Sequence, residues 1–385
     1  MKIKKIKAID CNTAVAIFIL TNLPSIKLFF SSAVLNVVCF VMLIISFLLK
    51  EKLYFETTEK KEAVFSVLII LICCICMAFV AGAQVNVDTY KILFSILCVL
   101  LVSLVLNYNT AELVVKLYCV WALFLSIYHI FIGITFNPSM GQSYLTLSVP
   151  LGAFLTVLLT MLLIFKLSIL AKLSYFCCLL VVLLALSSLL SRSAIIFPIL
   201  ISFSITLFFF FKNWRSNKSS LFFLLLFVFF ALFYLSNNFD LISEFRQLDR
   251  IERTITNMSE EPRVRIYEQV LSWIVDSPLH GYGLGSPFVM MGGGYPHNIF
   301  LDLLLNGGVL LLMITLPFLI LYLINLTETF SAKKLNSWRV ISASLSLFLF
   351  LQWNTSFSLN SLHIPFTFIL VFISLRSVKT ENTFR

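Results

Sequence analysis

The sequence predicts an all-α polytopic membrane protein. Its 385 residues are 60% hydrophobic and only 12% charged, whereas soluble domains carry about 25% charged residues. Apolar stretches approaching twenty residues recur along almost the whole chain, as membrane-spanning segments do. Because backbone polar groups in lipid must be satisfied within their own segment, we expect these spans to be helices.

We predict about twelve spans and orient them by the positive-inside rule. Most of the 28 lysines and arginines lie in loops that are cytoplasmic when the N-terminus is cytoplasmic, so we expect both termini inside. The first apolar run lacks the small-residue exit of a cleavable signal peptide. The predicted spans are 9–24, 28–49, 64–81, 92–106, 113–135, 145–165, 173–190, 194–211, 221–236, 298–323, 341–357 and 361–376.

The spans divide the chain into three parts. Residues 1–236 hold nine spans, residues 237–297 form one large outer loop with two short helices, and residues 298–385 hold three spans and a cytoplasmic tail. The net charge of +10 is spread over short loops, so we expect no nucleic-acid partner. All nine cysteines precede the large loop, which favours small buried residues over a disulfide framework or metal ligands.

The large loop carries five of the ten arginines and no lysine. Guanidinium groups suit a planar, doubly charged anion such as a phosphate. Residues 240–258 have helical periodicity and place three arginines on one face; a solvated or headgroup-binding face is the alternative. A second helix is predicted over 260–275, with two arginines beside free N–H groups in its first turn; salt bridges to nearby glutamates are the alternative. These arginines are Arg246, Arg250, Arg253, Arg263 and Arg265.

A glycine-rich run follows and ends where the chain re-enters the membrane. Gly283 and Gly285 permit positive φ or close backbone approach, and residues 286–294 are predicted to form a mobile flap. His297 lies at the start of the next span, where the helix dipole favours the neutral, proton-accepting imidazole. Asp302, about one turn further, is expected to orient it. A simple helix cap is the alternative for His297.

Arg192 joins two apolar spans on the outer side, within Ser191-Arg192-Ser193. A charge at that depth is costly and usually functional, and the alternative is an arginine that snorkels from a turn. The outer loops contain no Asp-x-Asp pair, no H-E-x-x-H and no paired-carboxylate cluster. We therefore expect no bound metal.

A set of motifs runs through residues 191–193 and 259–310. It comprises the Ser191-Arg192 pair; Arg263 with Tyr267 and Trp273; Pro278-Leu279-x-Gly281-x-Gly283-x-Gly285; His297-Asn298-x-x-Leu301; and Asn306-Gly307-Gly308-Val309-Leu310. In this order, within a chain of many spans and one late outer loop, the motifs resemble the O-antigen polymerase and O-antigen ligase family of bacterial envelopes. Three positions depart from the family pattern: Tyr267 replaces a common tryptophan, Arg265 a common acid, and Ser193 a glycine.

The resemblance implies glycosyl transfer at the periplasmic face of a bacterial inner membrane, by a fold similar to the GT-C glycosyltransferases. It implies a polyprenyl-diphosphate-linked oligosaccharide as donor, with no metal, nucleotide sugar or other cofactor. Membrane lipids and a chain-length regulator protein are the further partners considered. We expect catalytic roles for His297, Arg263 and Arg192, with the arginines stabilising the diphosphate and His297 activating the acceptor hydroxyl. Further diphosphate contacts are expected from Arg265, Arg253, Arg250, Arg246, Gly283, Gly285 and Asn298.

Three functions fit these features. We favour a polymerase, which extends one lipid-linked repeat unit with another. The first alternative is a ligase that transfers the glycan to lipid A core, and the sequence does not separate the two. The second alternative is a flippase or transporter for the lipid-linked unit. It predicts charged residues inside the central spans, but the spans between residues 64 and 236 hold few.

Overall fold

A computed structural model describes residues 8–30, 34–50, 57–80, 85–136, 143–189, 191, 193–212, 262–332 and 336–376. These residues form helices and turns, and they include no strand, which confirms the predicted all-α polytopic membrane fold. The described α-helices are Ala8–Ile26 (α1), Val34–Leu48 (α2), Thr58–Val80 (α3), Val87–Val105 (α4), Tyr108–Phe131 (α5), Tyr144–Ile164 (α6), Ile169–Ser187 (α7), Ser193–Lys212 (α8), Pro262–Asp276 (α9), Ser286–Met290 (α10), Ile299–Ser331 (α11), Ser337–Ser356 (α12) and His363–Ser374 (α13).

Seven of these helices (α1, α3, α4, α5, α6, α7 and α11) are long and apolar enough to cross a membrane. Helices α2, α8 and α13 contain shorter apolar stretches. Eleven of the predicted spans coincide with a described helix, and the twelfth, 221–236, lies outside the described residues. The observed helices differ from the predicted spans mainly at their starts. Helix α3 begins at Thr58 and α4 at Val87, several residues before the apolar runs, because their first turns are polar.

The chain divides into two compact units. The first comprises residues 1–121 and 266–385, in which α11 packs on α3, α12 on α13, and α13 on α4. Its core includes Phe366, whose ring lies 4.5 Å from that of Phe318 and 5.7 Å from that of Trp353. The second unit comprises residues 122–265, in which α6 packs against both α7 and α8.

Asparagine caps set several helix starts in the first unit. Asn86 accepts hydrogen bonds from the backbone N–H groups of Asp88 and Thr89, both at 2.9 Å, and so begins α4. Asn298 begins α11 and Asn336 begins α12 in the same way. Such caps satisfy N–H groups that have no partner within the helix. The starts of α4, α11 and α13 lie at the predicted outer end of this unit.

The opposite, predicted cytoplasmic end of the first unit holds basic side chains. Lys50 and Lys60 donate hydrogen bonds to the carbonyls of Val105 and Leu106, where α4 ends. Positive groups are favourable there because of the helix dipole. A separate ion network joins Arg376 to Glu59 at 2.6 Å and to Glu328 at 2.9 Å.

Candidate active site

The glycine-rich run is docked along the first turns of α11. The backbone N–H of Tyr282 donates to the carbonyl of Leu305 at 2.8 Å. The N–H of Val309 donates to the carbonyl of Pro278 at 2.9 Å, and that of Leu310 to the carbonyl of Leu279 at 3.2 Å. The run therefore lies on α11 as an ordered backbone segment.

Two glycines make this docking possible. Gly308 has φ +63° and ψ −162° inside α11, a backbone conformation essentially restricted to glycine, and it frees the N–H groups that the run uses. A Cβ at Gly308 would lie 2.2 Å from the carbonyl oxygen of Leu279. A Cβ at Gly281, which has φ +62°, would lie 2.4 Å from the carbonyl oxygen of Leu305. Both motif glycines are thus explained by close backbone approach.

A buried polar network continues from the run into the helix bundle. The N–H of Gly285 donates to the Oδ1 of Asn306 at 2.7 Å. The Nδ2 of Asn306 donates to Oδ1 of Asp302 at 2.8 Å, and the N–H of Leu359 donates to Oδ2 of the same carboxylate at 2.8 Å. Asp302 is only 3% exposed, so these hydrogen bonds offset its burial. Asp302 was expected to orient His297; the structure shows it joining α11 to the turn before α13.

Helix α4 holds the other side of the same run. The Oγ1 of Thr89 donates to the carbonyl of Leu284 at 2.6 Å, and the Nδ2 of Asn86 donates to the carbonyl of Gly285 at 3.1 Å. A Cβ at Gly285 would lie 2.6 Å from the Oδ1 of Asn86. Close packing therefore explains the glycine at position 285. The diphosphate contacts predicted for Gly285 and for the neighbouring, buried Gly283 stay predictions.

A pocket of about 250 Å³, counted with its open mouth, lies between these elements. Its walls combine carboxylates, amides and aromatic rings. Asp88 and Asn360 meet across it, since the Nδ2 of Asn360 donates to Oδ1 of Asp88 at 2.9 Å. Its polar and aromatic lining residues are Asp88, Asp302, Asn306, Asn360, Tyr295 and Phe288.

His297 lies beside this pocket. Its ring centroid is 4.2 Å from that of Tyr295, which lines the pocket and is itself held by a 2.9 Å hydrogen bond from its hydroxyl to the carbonyl of Ser356. His297 has φ +54°, and it is the sole non-glycine residue with a left-handed φ in the described ranges. Such backbone strain costs of order 1–3 kcal/mol and clusters at functional sites.

His297 is not the cap of α11. That role belongs to Asn298, whose Oδ1 accepts hydrogen bonds from the N–H groups of Phe300 at 3.0 Å and Leu301 at 3.2 Å. The explanation of His297 as a helix cap is thereby removed, and the residue is half-buried. The structure shows Asn298 as a helix cap. Its expected role in binding the diphosphate stays a prediction.

Arg263 and Arg265 are exposed on the first turns of α9, which begins at Pro262 as a helix with an early proline does. Neither forms an ion pair with Glu268, the one described glutamate of the three considered as salt-bridge partners. Both arginines lie at the C-terminal end of the second unit, which ends at Arg265. Their convergence on His297 stays a prediction.

Four predicted site residues lie outside the described residues: Arg192, Arg246, Arg250 and Arg253. The helix predicted over 240–258 also lies there. The predicted flap, residues 286–294, is folded as α10 followed by turns at Gly292 and Gly293.

Sequence reasoning missed the pocket residues on α4 and on the turn before α13. Asp88 escaped notice because the predicted span began at residue 92, after the capped first turn. Asn360 lies 272 residues from Asp88 along the chain, so only the folded structure brings them together. The Asn86-x-Asp88-Thr89 sequence, a polar cluster at the start of an apolar run, was the one local signal available.

One comparison with known proteins finds a match. Residues 176–316, just over a third of the chain, match the family model described as O-Antigen ligase. This stretch contains Arg263, Arg265, the glycine-rich run and His297, and the match confirms the resemblance to the O-antigen polymerase and ligase family. Members of that family are membrane glycosyltransferase-like enzymes. No curated protein significantly matches the chain.

Proposed function

We propose that this protein is an O-antigen polymerase, a membrane glycosyltransferase that joins oligosaccharide repeat units carried on undecaprenyl diphosphate. In this proposal it works at the periplasmic face of the bacterial inner membrane, with both termini in the cytoplasm. The observation that carries the proposal is His297, which has a left-handed backbone and lies against Tyr295 of the polar pocket, within the stretch that matches the family.

In the proposed reaction a hydroxyl oxygen of the acceptor sugar attacks the anomeric carbon of the donor sugar. His297 accepts the hydroxyl proton as the new C–O bond forms, which requires hydrogen-bond reach in the bound complex. The bond between the anomeric carbon and the diphosphate oxygen breaks, and polyprenyl diphosphate leaves. A single displacement of this kind inverts the anomeric configuration.

The diphosphate leaving group gains negative charge in the transition state, and preorganised cations stabilise that charge. We assign this role to Arg263 and Arg192, with Arg265 as a further contact. Exposure of Arg263 and Arg265, without an ion pair to Glu268, supports the assignment because their guanidinium groups are accessible to a ligand. The remaining loop arginines (Arg246, Arg250 and Arg253) are assigned to the same anionic headgroup.

Deletion of the gene followed by analysis of lipopolysaccharide bands tests the proposal. A polymerase deletion removes the long chains but leaves a single repeat unit on the lipid A core. Loss of every repeat unit would identify a ligase. Accumulation of lipid-linked units at the cytoplasmic face would identify a flippase. Complementation with His297→Ala should fail, whereas His280→Ala, which changes an exposed histidine in the same run, should restore the ladder.

A further inference from the structure

We propose that the pocket lined by Asp88, Asn360, Tyr295 and Phe288 binds one ring of the acceptor sugar, through its hydroxyl groups. That this sugar is the acceptor rests on the proposed function; the binding of a neutral hydroxylated ring rests only on the pocket.

The position of the pocket relates it to the proposed base. Tyr295 contributes to the pocket wall, and its ring lies 4.2 Å, centroid to centroid, from that of His297. A sugar ring in contact with Tyr295 would therefore lie on the side of the pocket nearest His297. The pocket is open to its surroundings and its enclosed part is small, so it can receive the edge of one ring and not an oligosaccharide.

The chemistry of the walls favours a neutral ligand over a diphosphate. Two carboxylates, Asp88 and Asp302, line the pocket, and carboxylates repel an anion. Lys91 already pairs with Asp88 at 2.8 Å, and its Nζ lies 5.9 Å from the ring centroid of Phe288. Hydroxyl groups, by contrast, both donate and accept hydrogen bonds, which suits a mixture of carboxylates and amides.

Two acceptor atoms are left for a ligand. Oδ1 of Asp88 accepts from Lys91 and Asn360, but no described residue donates to its Oδ2. The amide oxygen of Asn360 likewise accepts no hydrogen bond from the described part of the chain. Asp88 is only 4% exposed, so a ligand hydroxyl donating to it would form a charge-assisted hydrogen bond shielded from water.

The surroundings hold these atoms in place before a ligand arrives. The Oγ of Ser95 donates to the carbonyl of Asn360 at 2.7 Å, and it also lies 2.7 Å from Nδ1 of His363. Ser95 is 2% exposed. We assign Ser95 and His363 as positioning residues, since they act on the ligand only through Asn360. A preorganised site loses less freedom when it binds.

Equilibrium dialysis with the purified full-length protein tests the proposal. The probe is radiolabelled free oligosaccharide, released by mild acid from the lipid-linked repeat unit and therefore lacking diphosphate. Asp88→Ala should weaken binding about tenfold, since a charged hydrogen-bond partner is lost. Phe288→Ala, which removes an exposed side chain, should weaken it several-fold, and inorganic pyrophosphate should not compete.

The matched control is Asp276→Ala, which removes an exposed carboxylate outside the pocket. This variant should bind the oligosaccharide as the unaltered protein does. Size-exclusion profiles establish whether each variant is folded. If Asp88→Ala does not fold, Phe288→Ala provides the test. Absence of binding by the unaltered protein, equal binding by the folded pocket variants, or displacement by pyrophosphate would overturn the proposal. Binding as expected from a protein that forms no polymer would refute the proposed function and leave the sugar site standing.

Discussion

Gly308→Ala is expected to undo the docking of the glycine-rich run on α11. The added methyl group would lie 2.2 Å from the carbonyl oxygen and 2.3 Å from the carbonyl carbon of Leu279. These are backbone atoms, so no side-chain rotation relieves the overlap. The run must move away from α11 or the helix must change its path.

The expected loss of stability follows from two contributions. An alanine in the conformation of Gly308 costs of order 1–3 kcal/mol. If the run moves, the hydrogen bonds from Val309 to Pro278 and from Leu310 to Leu279 are weakened, at about 0.5–1.5 kcal/mol each. We therefore expect a destabilisation of about 4 kcal/mol, with displacement of Gly285 from Asn306 and loss of polymer.

Gly292→Ala is the matched control. Gly292 also has a positive φ, +59°, but a Cβ there would meet nothing within 4 Å. Only the left-handed backbone is then penalised, at about 1–2 kcal/mol. Thermal unfolding of the detergent-solubilised protein, alongside a polymer ladder at matched protein levels, measures both variants. Equal stability and equal ladders for the two variants would refute the reasoning from close approach.

Three further predictions follow from the site. Asn298→Ala should destabilise the protein by about 1 kcal/mol while Asn298→Ser should not, because serine also caps a helix; equal melting of the two variants would contradict the capping role. Asp302→Ala should lower stability by about 1–3 kcal/mol for each donor left unsatisfied, whereas Asp276→Ala should melt like the unaltered protein. Arg263→Lys and Arg265→Lys should fold normally yet shorten the ladder, because lysine keeps the charge but loses the two-pronged contact; full ladders from both would remove these arginines from the diphosphate site.

The helices were predictable because lipid imposes length and hydrophobicity on each span. Their starts were not, since the first turns of α3 and α4 are polar and lie outside the apolar runs. The extension of α4 back to Val87 brings Asp88 into the site. A count of apolar residues cannot show this.

Some features of the candidate site were likewise predictable from the sequence and others were not. His297 and the glycine run were recognisable because their local patterns have physical meaning: a helix start, and a backbone free of Cβ atoms. The contacts that explain them were not recognisable, because they join distant parts of the chain. Asn86 and Gly285 are 199 residues apart in sequence, and Asp302 and Leu359 are 57 apart. The sequence indicates that the alternating glycines permit close backbone approach, but it does not show that Gly281 approaches Leu305 and that Gly308 approaches Leu279.

The central claim, that His297 promotes displacement of a lipid diphosphate by a sugar hydroxyl, is tested most directly in proteoliposomes. The purified protein is supplied with undecaprenyl-diphosphate-linked repeat units, and both the elongated product and the released undecaprenyl diphosphate are measured. We predict that the two rise in equal amounts, that the new linkage has inverted anomeric configuration, and that His297→Ala forms neither product while His280→Ala forms both. Equal product from His297→Ala, or a linkage with retained configuration, would contradict the account.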